Sequence, residues 1–430
     1  MSVDIWRGWR SLSQVARRLM AVRFLRSVAQ GALAVDFTLY LKARHWSAPE
    51  IGLLLMAGGL SGALLSMVVG VASDRVGRRG FLLIYEIGLI IGTGALIENG
   101  AAWILAATAA IFGLGRGANG ASGPFAPAEQ AWLATAVPEP RRGKIFSFNA
   151  GLQFWGMGIG SLLAGGLPRL AFGLRGDATY LPVFGLNFMV AIINLLQIVG
   201  LPESRSANPE SAATRLERSE DPVYHRENRA LTRLALVNAV NSLGIGLVAP
   251  LLPFWFNLRF GVGPGMIGSV FGLTFFLTGL FSLMMGKLAD RLGLMRSIVW
   301  PRLLGVAMLI AIPFMPNFTA AAILYVARSM VNRGSLGARQ AFSLGLVRGH
   351  RRGFASSLNA VSWNVPAAVG PALGGWLIGL GSLTWPFVLA AGLQLAYSIL
   401  FLTVMGGYES ETELRRPTES TAKAVRRHGG

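Results

Sequence analysis

The sequence predicts an all-α polytopic membrane protein with twelve transmembrane helices in two six-helix repeats. Of its 430 residues, 53% are hydrophobic and only 14% are charged, whereas a soluble domain carries about 25% charged residues. The apolar residues fall in twelve stretches, each near the ~20 residues that a helix needs to cross ~30 Å of hydrocarbon. Motifs of the first half of the chain also recur in the second half, as described below.

The twelve predicted spans form two groups on either side of a polar, charged segment. The first group covers 19–42, 50–72, 80–98, 102–133, 145–167 and 180–201. The second group covers 231–256, 264–286, 297–315, 317–343, 354–379 and 383–406. We therefore divide the chain into an interfacial N-terminal segment (1–18), a first half (19–201), a linker (202–230), a second half (231–406) and a tail (407–430). The tail is too polar to bury a core, so we expect it to be disordered.

Basic residues concentrate on one side of this predicted topology. Lys and Arg number 39 against 20 Asp and Glu, which gives a net charge of +19. With the N-terminus inside, 27 of the 39 basic residues fall on the cytoplasmic side, five fall outside and seven lie within spans. Because cytoplasmic loops retain Lys and Arg, we expect both termini and the linker in the cytoplasm, and the protein in the inner or plasma membrane. This distribution explains the charge without a nucleic-acid partner.

The sequence lacks the residues and motifs on which several classes of chemistry depend. The chain has no Cys, and its four His are scattered over polar connections, so we expect no metal site. No His lies within a span and no phosphate-binding loop is present, which argues against an enzyme and against ATP coupling. We therefore expect a protein that is not an enzyme and uses no cofactor.

Two motifs occur once in each half. The pattern G-x-x-x-D-R-x-G occupies 70–77 and recurs at 286–293, an offset of 216. The segment 128–150 has matching residues in 338–360, an offset of 210. A parallel repeat of this kind indicates two six-helix halves of the same orientation, related by an axis along the membrane normal.

At these positions the sequence resembles the major facilitator superfamily, over nearly the whole chain. Its loop 2–3 signature is matched by Gly70, Asp74, Arg75, Gly77, Arg78 and Arg79, and the weaker copy supplies Asp290 and Arg291. The resemblance implies that these residues form a conformational latch, in which Asp74 meets the start of span 11 near 353–356 when the cytoplasmic side is closed. The alternative is a topological anchor whose contacts never change.

Other elements of the sequence are similar to the same family. Arg116 begins an R-x-x-x-G element in span 4 that resembles proton-coupled members. A G-P-x-x-G-G element occupies 370–375 in span 11. Efflux antiporters of the family usually carry that element in span 5, where this chain has glycines without the proline.

Acidic residues inside a membrane are costly and therefore mark function. The candidates for proton coupling are Asp36, Glu86, Glu129 and Arg116. Asp36 is the foremost, because span 1 lines the central cavity in the family that the chain resembles and a carboxylate there could carry a proton. Alternatively, Asp36 faces outer-leaflet water or pairs with Lys42 or Arg44. Glu129 could pair with Arg339 across the halves or with arginines of the nearby loop.

Polar and aromatic residues within spans are candidates for a substrate cavity. They are Arg26, Gln30, Gln153, Trp155, Arg328, Arg333, Trp363 and Asn364. Guanidinium groups bind carboxylate and phosphate through paired hydrogen bonds, so the surplus of in-span arginine favours an anionic substrate. These arginines could equally bind helix-end carbonyls, and the aromatic residues could pack between helices. For Arg23 we expect the side chain to extend to the membrane interface.

The resemblance implies a secondary transporter that moves a small organic solute across the membrane by alternating access. The first expectation is a proton-coupled efflux antiporter of amphipathic compounds, and the second is proton-coupled uptake of an organic anion. A non-transporting membrane sensor and a membrane-embedded enzyme are remote alternatives. The expected partners are the lipid bilayer, the solute and protons, and we expect a monomer.

Overall fold

A computed structural model describes residues 12–115, 126–138, 142–171, 173–203, 222–292, 294–334, 339, 342–343, 346–347 and 352–408. Within these ranges the protein consists of helices and their connections, without a strand. Six helical segments there are long and apolar enough to cross a membrane by length and composition. The predicted all-α fold class is therefore confirmed.

The first half contributes seven described helices. They are α1 (Gln14–Ala43), α2 (Ala48–Val76), α3 (Arg78–Asn99), α4 (Ala102–Phe112), α5 (Ala126–Ala136), α6 (Arg142–Ala164) and α7 (Leu181–Val199). Helices α4 and α5 both belong to predicted span 4. The start of α2 shows how local sequence sets a boundary: the Glu50 carboxylate accepts from the Ser47 N–H at 2.7 Å, and the Ser47 hydroxyl accepts from the Glu50 N–H at 3.4 Å. This reciprocal capping satisfies two backbone donors at the first turn.

The second half contributes another seven described helices. They are α8 (Pro222–Val248), α9 (Leu252–Phe260), α10 (Pro264–Leu292), α11 (Leu294–Ala311), α12 (Phe318–Gly334), α13 (Arg352–Gly379) and α14 (Trp385–Met405). Helix α8 begins at Pro222 rather than at 231, so part of the predicted linker is helical. A short 3₁₀ turn, Ala249–Leu251, separates α8 from α9 within span 7. Pro250 and Pro253 lie at this break, where the missing N–H groups prevent a continuous α-helix.

Each half has the same close helix crossing. In the first half α1 packs on α6, where a Cβ on Gly31 would overlap the carbonyl of Met157. In the second half α8 packs on α13, where a Cβ on Gly246 would overlap the carbonyl of Ala367. Small residues let helix backbones approach closely within a membrane. The two halves therefore share one packing solution.

The halves meet through α2 on α13 and through α6 on α10. A Cβ on Gly52 would overlap the carbonyl of Pro371, and a Cβ on Gly268 would overlap the carbonyl of Ser161. The Lys42 ammonium also donates to the Asn257 side-chain oxygen. These contacts lie toward the end of the bundle formed by residues 43–48, which we call the far end. The cavity described next lies between the halves on the other side of these contacts.

Candidate functional site

A cavity of about 550 Å³ lies between the two halves. The first half lines it through Ser66, Ala126, Pro127, Gln130 and Phe154. The second half supplies most of its polar lining, from α11, α12 and α13 and from Arg339, while α8 contributes apolar residues. The volume lies within the 300–1,000 Å³ that is usual for small-molecule sites.

Among the residues that the structure describes, four arginines and no Asp or Glu line this cavity. They are Arg302, Arg328, Arg333 and Arg339. Between Glu227 and Glu409 the sequence has a single acid, Asp290. In the part of the chain that the structure describes, no ion pair involves Arg302, Arg328 or Arg339. The cavity therefore carries positive charge that these residues do not balance.

Arg302 and Arg328 share one neutral acceptor. Both guanidinium groups donate to the side-chain oxygen of Gln394, at 3.4 Å from Arg302 and 3.1 Å from Arg328. Gln394 lies on α14 and is fully buried, behind the residues that line the cavity. The Nε atoms of both arginines have no acceptor within the described ranges. The amide oxygen thus holds two cations together without offsetting their charge.

Aromatic rings support the other two cations. The Arg339 guanidinium lies 4.8 Å from the ring centre of Trp363, and that of Arg333 lies 5.1 Å from the ring centre of Phe275. Such contacts attract a cation through the ring quadrupole but leave its net charge in place. Trp363 also lines the cavity, so an apolar surface lies beside the positive charge.

Buried charge in the first half is arranged differently. The Glu129 carboxylate accepts from Arg26 at 2.7 Å and lies 3.4 Å from Arg23. Glu86 also pairs with Arg26, and the side-chain oxygen of Gln153 accepts from Arg23. We call Arg23, Arg26, Glu86 and Glu129 the ion-pair cluster. Its two guanidinium groups and two carboxylates are all buried.

This cluster corrects two interpretations made from the sequence. Arg23 does not extend to the membrane interface, because its side chain is only 7% exposed and pairs with Glu129. In the described part of the chain, the ion pairs of Glu129 are with Arg23 and Arg26 of α1 and not with Arg339. Hydropathy indicates how deep these residues lie in the membrane but not the helix face on which each one lies.

Of the eight predicted cavity residues, Arg328, Arg333, Trp363 and Asn364 line the cavity. The other four lie elsewhere. Arg26 and Gln30 border a separate space of about 20 Å³ within the first half.

Gln153 contacts Arg23 and is 8% exposed. Trp155 is 43% exposed and does not line the cavity, whereas its neighbour Phe154 does. Adjacent residues of a helix project about 100° apart, so only one of the two can face the cavity.

Asp36 lies in α1 and is 1% exposed. Neither of its carboxylate oxygens has a hydrogen-bond partner within the described ranges. Lys42 donates to Asn257 instead, and the Arg44 guanidinium lies 3.5 Å from Asp177, so the pairing alternative for Asp36 is wrong. Asp36 is also not among the residues that line the central cavity.

Several predicted functional residues lie outside the described residues or side chains. They are Arg116 and the side chains of Asp74, Arg75, Asp290 and Arg291. Gly70 lies within α2, and Gly77 joins α2 to α3 at a φ of +121°. The N–H groups of Arg78 and Arg79 donate to the Glu203 carboxylate at 2.9 and 3.1 Å. A carboxylate at a helix start is favoured by the helix dipole, so Glu203 caps α3 from the beginning of the linker. The latch itself remains a prediction.

Sequence reasoning missed three residues of the site. Arg302 and Arg339 were visible as in-span arginines in a half without an in-span acid. Gln394 gave no signal of its own, because a single amide in an apolar span does not reveal its partners. Its role follows only from the packing of α14 against α11.

Comparisons with known proteins agree with this architecture. The profile of the Major Facilitator Superfamily matches residues 19–230 and 234–429. Multidrug resistance protein 2 of Bacillus subtilis is 24% identical over 397 residues, which cover 86% of this chain and 90% of that protein.

Two solved structures share the fold. The nucleoside transporter NupG superposes with a TM-score of 0.70 at 11% identity, covering 90% of this chain and 99% of that chain. A D-xylose–proton symporter superposes with a TM-score of 0.69 at 14% identity, covering 90% of this chain and 97% of that chain. With the family profile matching both halves, the chain belongs to the major facilitator superfamily of membrane transporters.

Proposed function

We propose that this protein is a proton-coupled secondary transporter of a small organic anion, working by alternating access of its two halves. The observation that carries the proposal is the positive charge of the described cavity lining, in which Arg302, Arg328 and Arg339 form no ion pair within the described ranges. A buried charge left without a counter-charge costs several kcal/mol. An anionic substrate would supply that counter-charge, and guanidinium groups bind carboxylates through two hydrogen bonds.

The rest of the cavity lining supports an organic substrate. Phe154, Tyr325 and Trp363 offer aromatic surface, while Gln130 and Asn364 offer amide groups. Pockets of this kind bind a ligand through apolar contact and orient it by a few polar groups. The substrate that fits is an anion with a planar apolar body.

A second candidate function is proton-coupled efflux of amphipathic compounds in general. The similarity to Multidrug resistance protein 2 of Bacillus subtilis favours it. This candidate requires a cavity that accepts neutral or cationic compounds, which four lining arginines disfavour.

Ligand-induced thermal stabilisation of the purified protein separates these candidates. The probes are benzoate, benzamide and benzylammonium, which share a ring and differ in charge. A ligand that binds the folded state raises its stability in proportion to ln(1 + [L]/Kd). We expect benzoate to stabilise the protein, and we expect Arg328→Gln to remove most of that effect. Stabilisation by benzylammonium but not by benzoate would favour general efflux instead.

Proton coupling is assigned to Asp36. Its buried carboxylate lacks a partner in the described part of the chain, and an ionisable group inside a membrane protein is a functional candidate. Asp36→Asn should abolish uphill transport driven by a pH gradient in proteoliposomes, because an amide cannot carry the proton. Counterflow exchange of a stabilising anion, which needs no net proton movement, should survive. Full gradient-driven accumulation in the Asn variant would contradict the assignment and move attention to Glu86 and Glu129.

A further inference from the structure

We infer that the substrate carries two negative charges, one bound between Arg302 and Arg328 and the other bound by Arg339 on Trp363. This inference rests on the proposed function and specifies its substrate class. The favoured class is a planar dicarboxylate, whose two acidic groups lie on opposite sides of an apolar body.

The first anion subsite is the arginine pair on α11 and α12. Arg302 and Arg328 converge on a single amide oxygen, that of Gln394. Two like charges repel each other strongly in a low-dielectric site. The neutral amide oxygen holds the two guanidinium groups close together but does not remove this repulsion. A carboxylate of the substrate, bound between the two guanidinium groups, would attract both and so offset their mutual repulsion. The unpartnered Nε–H groups of both arginines are donors that remain for it.

The second anion subsite is Arg339, whose guanidinium stacks on Trp363 of α13. Its guanidinium lies 4.8 Å from the ring centre of Trp363, and its Nε also has no acceptor within the described ranges. Stacking on an aromatic ring orients the guanidinium plane while its N–H edge stays available. Among the described hydrogen bonds, Gln394 supports only the first pair, while the Trp363 ring of α13 supports Arg339 at the second subsite.

The amount of charge argues for two acidic groups rather than one. Arg302, Arg328 and Arg339 form no ion pair within the described ranges. A monoanion would offset one of these three charges, and a dianion would offset two. Each buried charge that remains uncompensated weakens binding. A dicarboxylate is therefore preferred over a monocarboxylate of the same shape.

Matched probes test this inference on the full-length protein in detergent. The probes are benzoate, terephthalate and phenyl phosphate, with affinities measured by thermal stabilisation and isothermal titration calorimetry. We expect terephthalate to bind at least tenfold more tightly than benzoate. Arg339→Gln should remove most of this preference. Thr403→Ala, exposed on the same helix as Gln394, is the control and should retain it.

Gln394→Glu provides a sharper variant, because it is nearly isosteric and adds a carboxylate where both guanidinium groups already converge. It should raise the melting temperature of the free protein and lower terephthalate affinity at least tenfold. Equal affinities of benzoate and terephthalate would overturn the two-charge inference and leave the proposed anion transport standing. Tighter binding of phenyl phosphate that does not respond to Arg339→Gln would place both charges at the first subsite and also overturn it. Absence of binding by all three anions would contradict the proposed function as well.

Discussion

Buried arginines occur in both halves of the bundle, but their partners differ. In the first half, Arg23 and Arg26 contact the carboxylates of Glu86 and Glu129. In the second half, Arg302 and Arg328 contact one amide oxygen, and Arg339 contacts an aromatic ring. An arginine whose charge is already paired contributes to structure. An arginine whose charge is left unbalanced beside a cavity is available to a ligand.

The backbone does not explain this difference. The crossing of α1 on α6 and that of α8 on α13 both depend on glycines that face carbonyl groups. The repeat has therefore kept the helix packing while the charged side chains have diverged. We expect substitutions of the charges to act differently in the two halves and substitutions of the glycines to act alike.

The largest expected effect on stability comes from removing one carboxylate of the ion-pair cluster. Glu129→Gln removes the carboxylate shared by Arg23 and Arg26, and loss of one partner from a buried pair costs about 3–5 kcal/mol. The melting temperature of the purified protein should fall steeply, with reduced yield of monodisperse protein. Glu98→Gln, at an exposed position of α3, is the matched control and should be neutral. A melting temperature for Glu129→Gln equal to that of the control would show that the cluster has no structural role.

The corresponding change in the second half should act in the opposite direction. Arg302→Met replaces a buried, unbalanced cation by an apolar side chain of similar length. Replacing even a buried ion pair by well-packed apolar residues is often neutral or stabilises a protein by about 1–4 kcal/mol, and an unbalanced buried cation is less favourable than a pair. Without ligand the melting temperature should hold or rise, while stabilisation by benzoate and terephthalate should be lost. A strong destabilisation of the free protein would mean that Arg302 is structural, like Arg26.

The glycine crossings should respond equally in both halves. A Cβ at Gly160 would overlap the carbonyl of Val28, and a Cβ at Gly370 would overlap the backbone of Gly246. Overpacking of this kind costs about 1–3 kcal/mol, so Gly160→Ala and Gly370→Ala should lower stability by similar amounts. Gly151→Ala, where nothing lies within 4 Å of the new Cβ, serves as the control. Losses that differ severalfold would show that the two crossings are not equivalent.

The smallest expected effect concerns the cap of α3. Glu203→Gln keeps an acceptor for the N–H groups of Arg78 and Arg79 but removes the negative charge at the helix start. The loss should be about 0.5–1 kcal/mol, typical of a charge at a helix terminus. A chemical-denaturation midpoint would measure it. A loss as large as that of Glu129→Gln would place Glu203 among the essential charges of the first half.

The sequence was sufficient for the fold because span length, charge distribution and the internal repeat are all properties of sequence position. The site could be predicted only in part. Arg328 and Trp363 were identified because polar and aromatic residues within spans are conspicuous. Arg26 and Gln30 were assigned to the wrong cavity, because hydropathy gives the depth of a residue and not its direction. Gln394 could not be found at all, since its importance depends on two arginines from other helices.

The far end of the bundle has a consequence for how the protein responds to salt. Its described contacts between the halves include glycines against carbonyl groups and a hydrogen bond from the Lys42 ammonium to the neutral Asn257 side chain. Dissolved ions screen interactions between two charges over ~8–10 Å and act much less on a contact in which at least one partner is neutral. Closure of the far end should therefore persist from dilute to concentrated electrolyte, whereas attraction of an anion to the arginine-lined cavity should weaken. Ionic strength thus offers a way to change substrate affinity while the conformational equilibrium at the far end stays nearly constant.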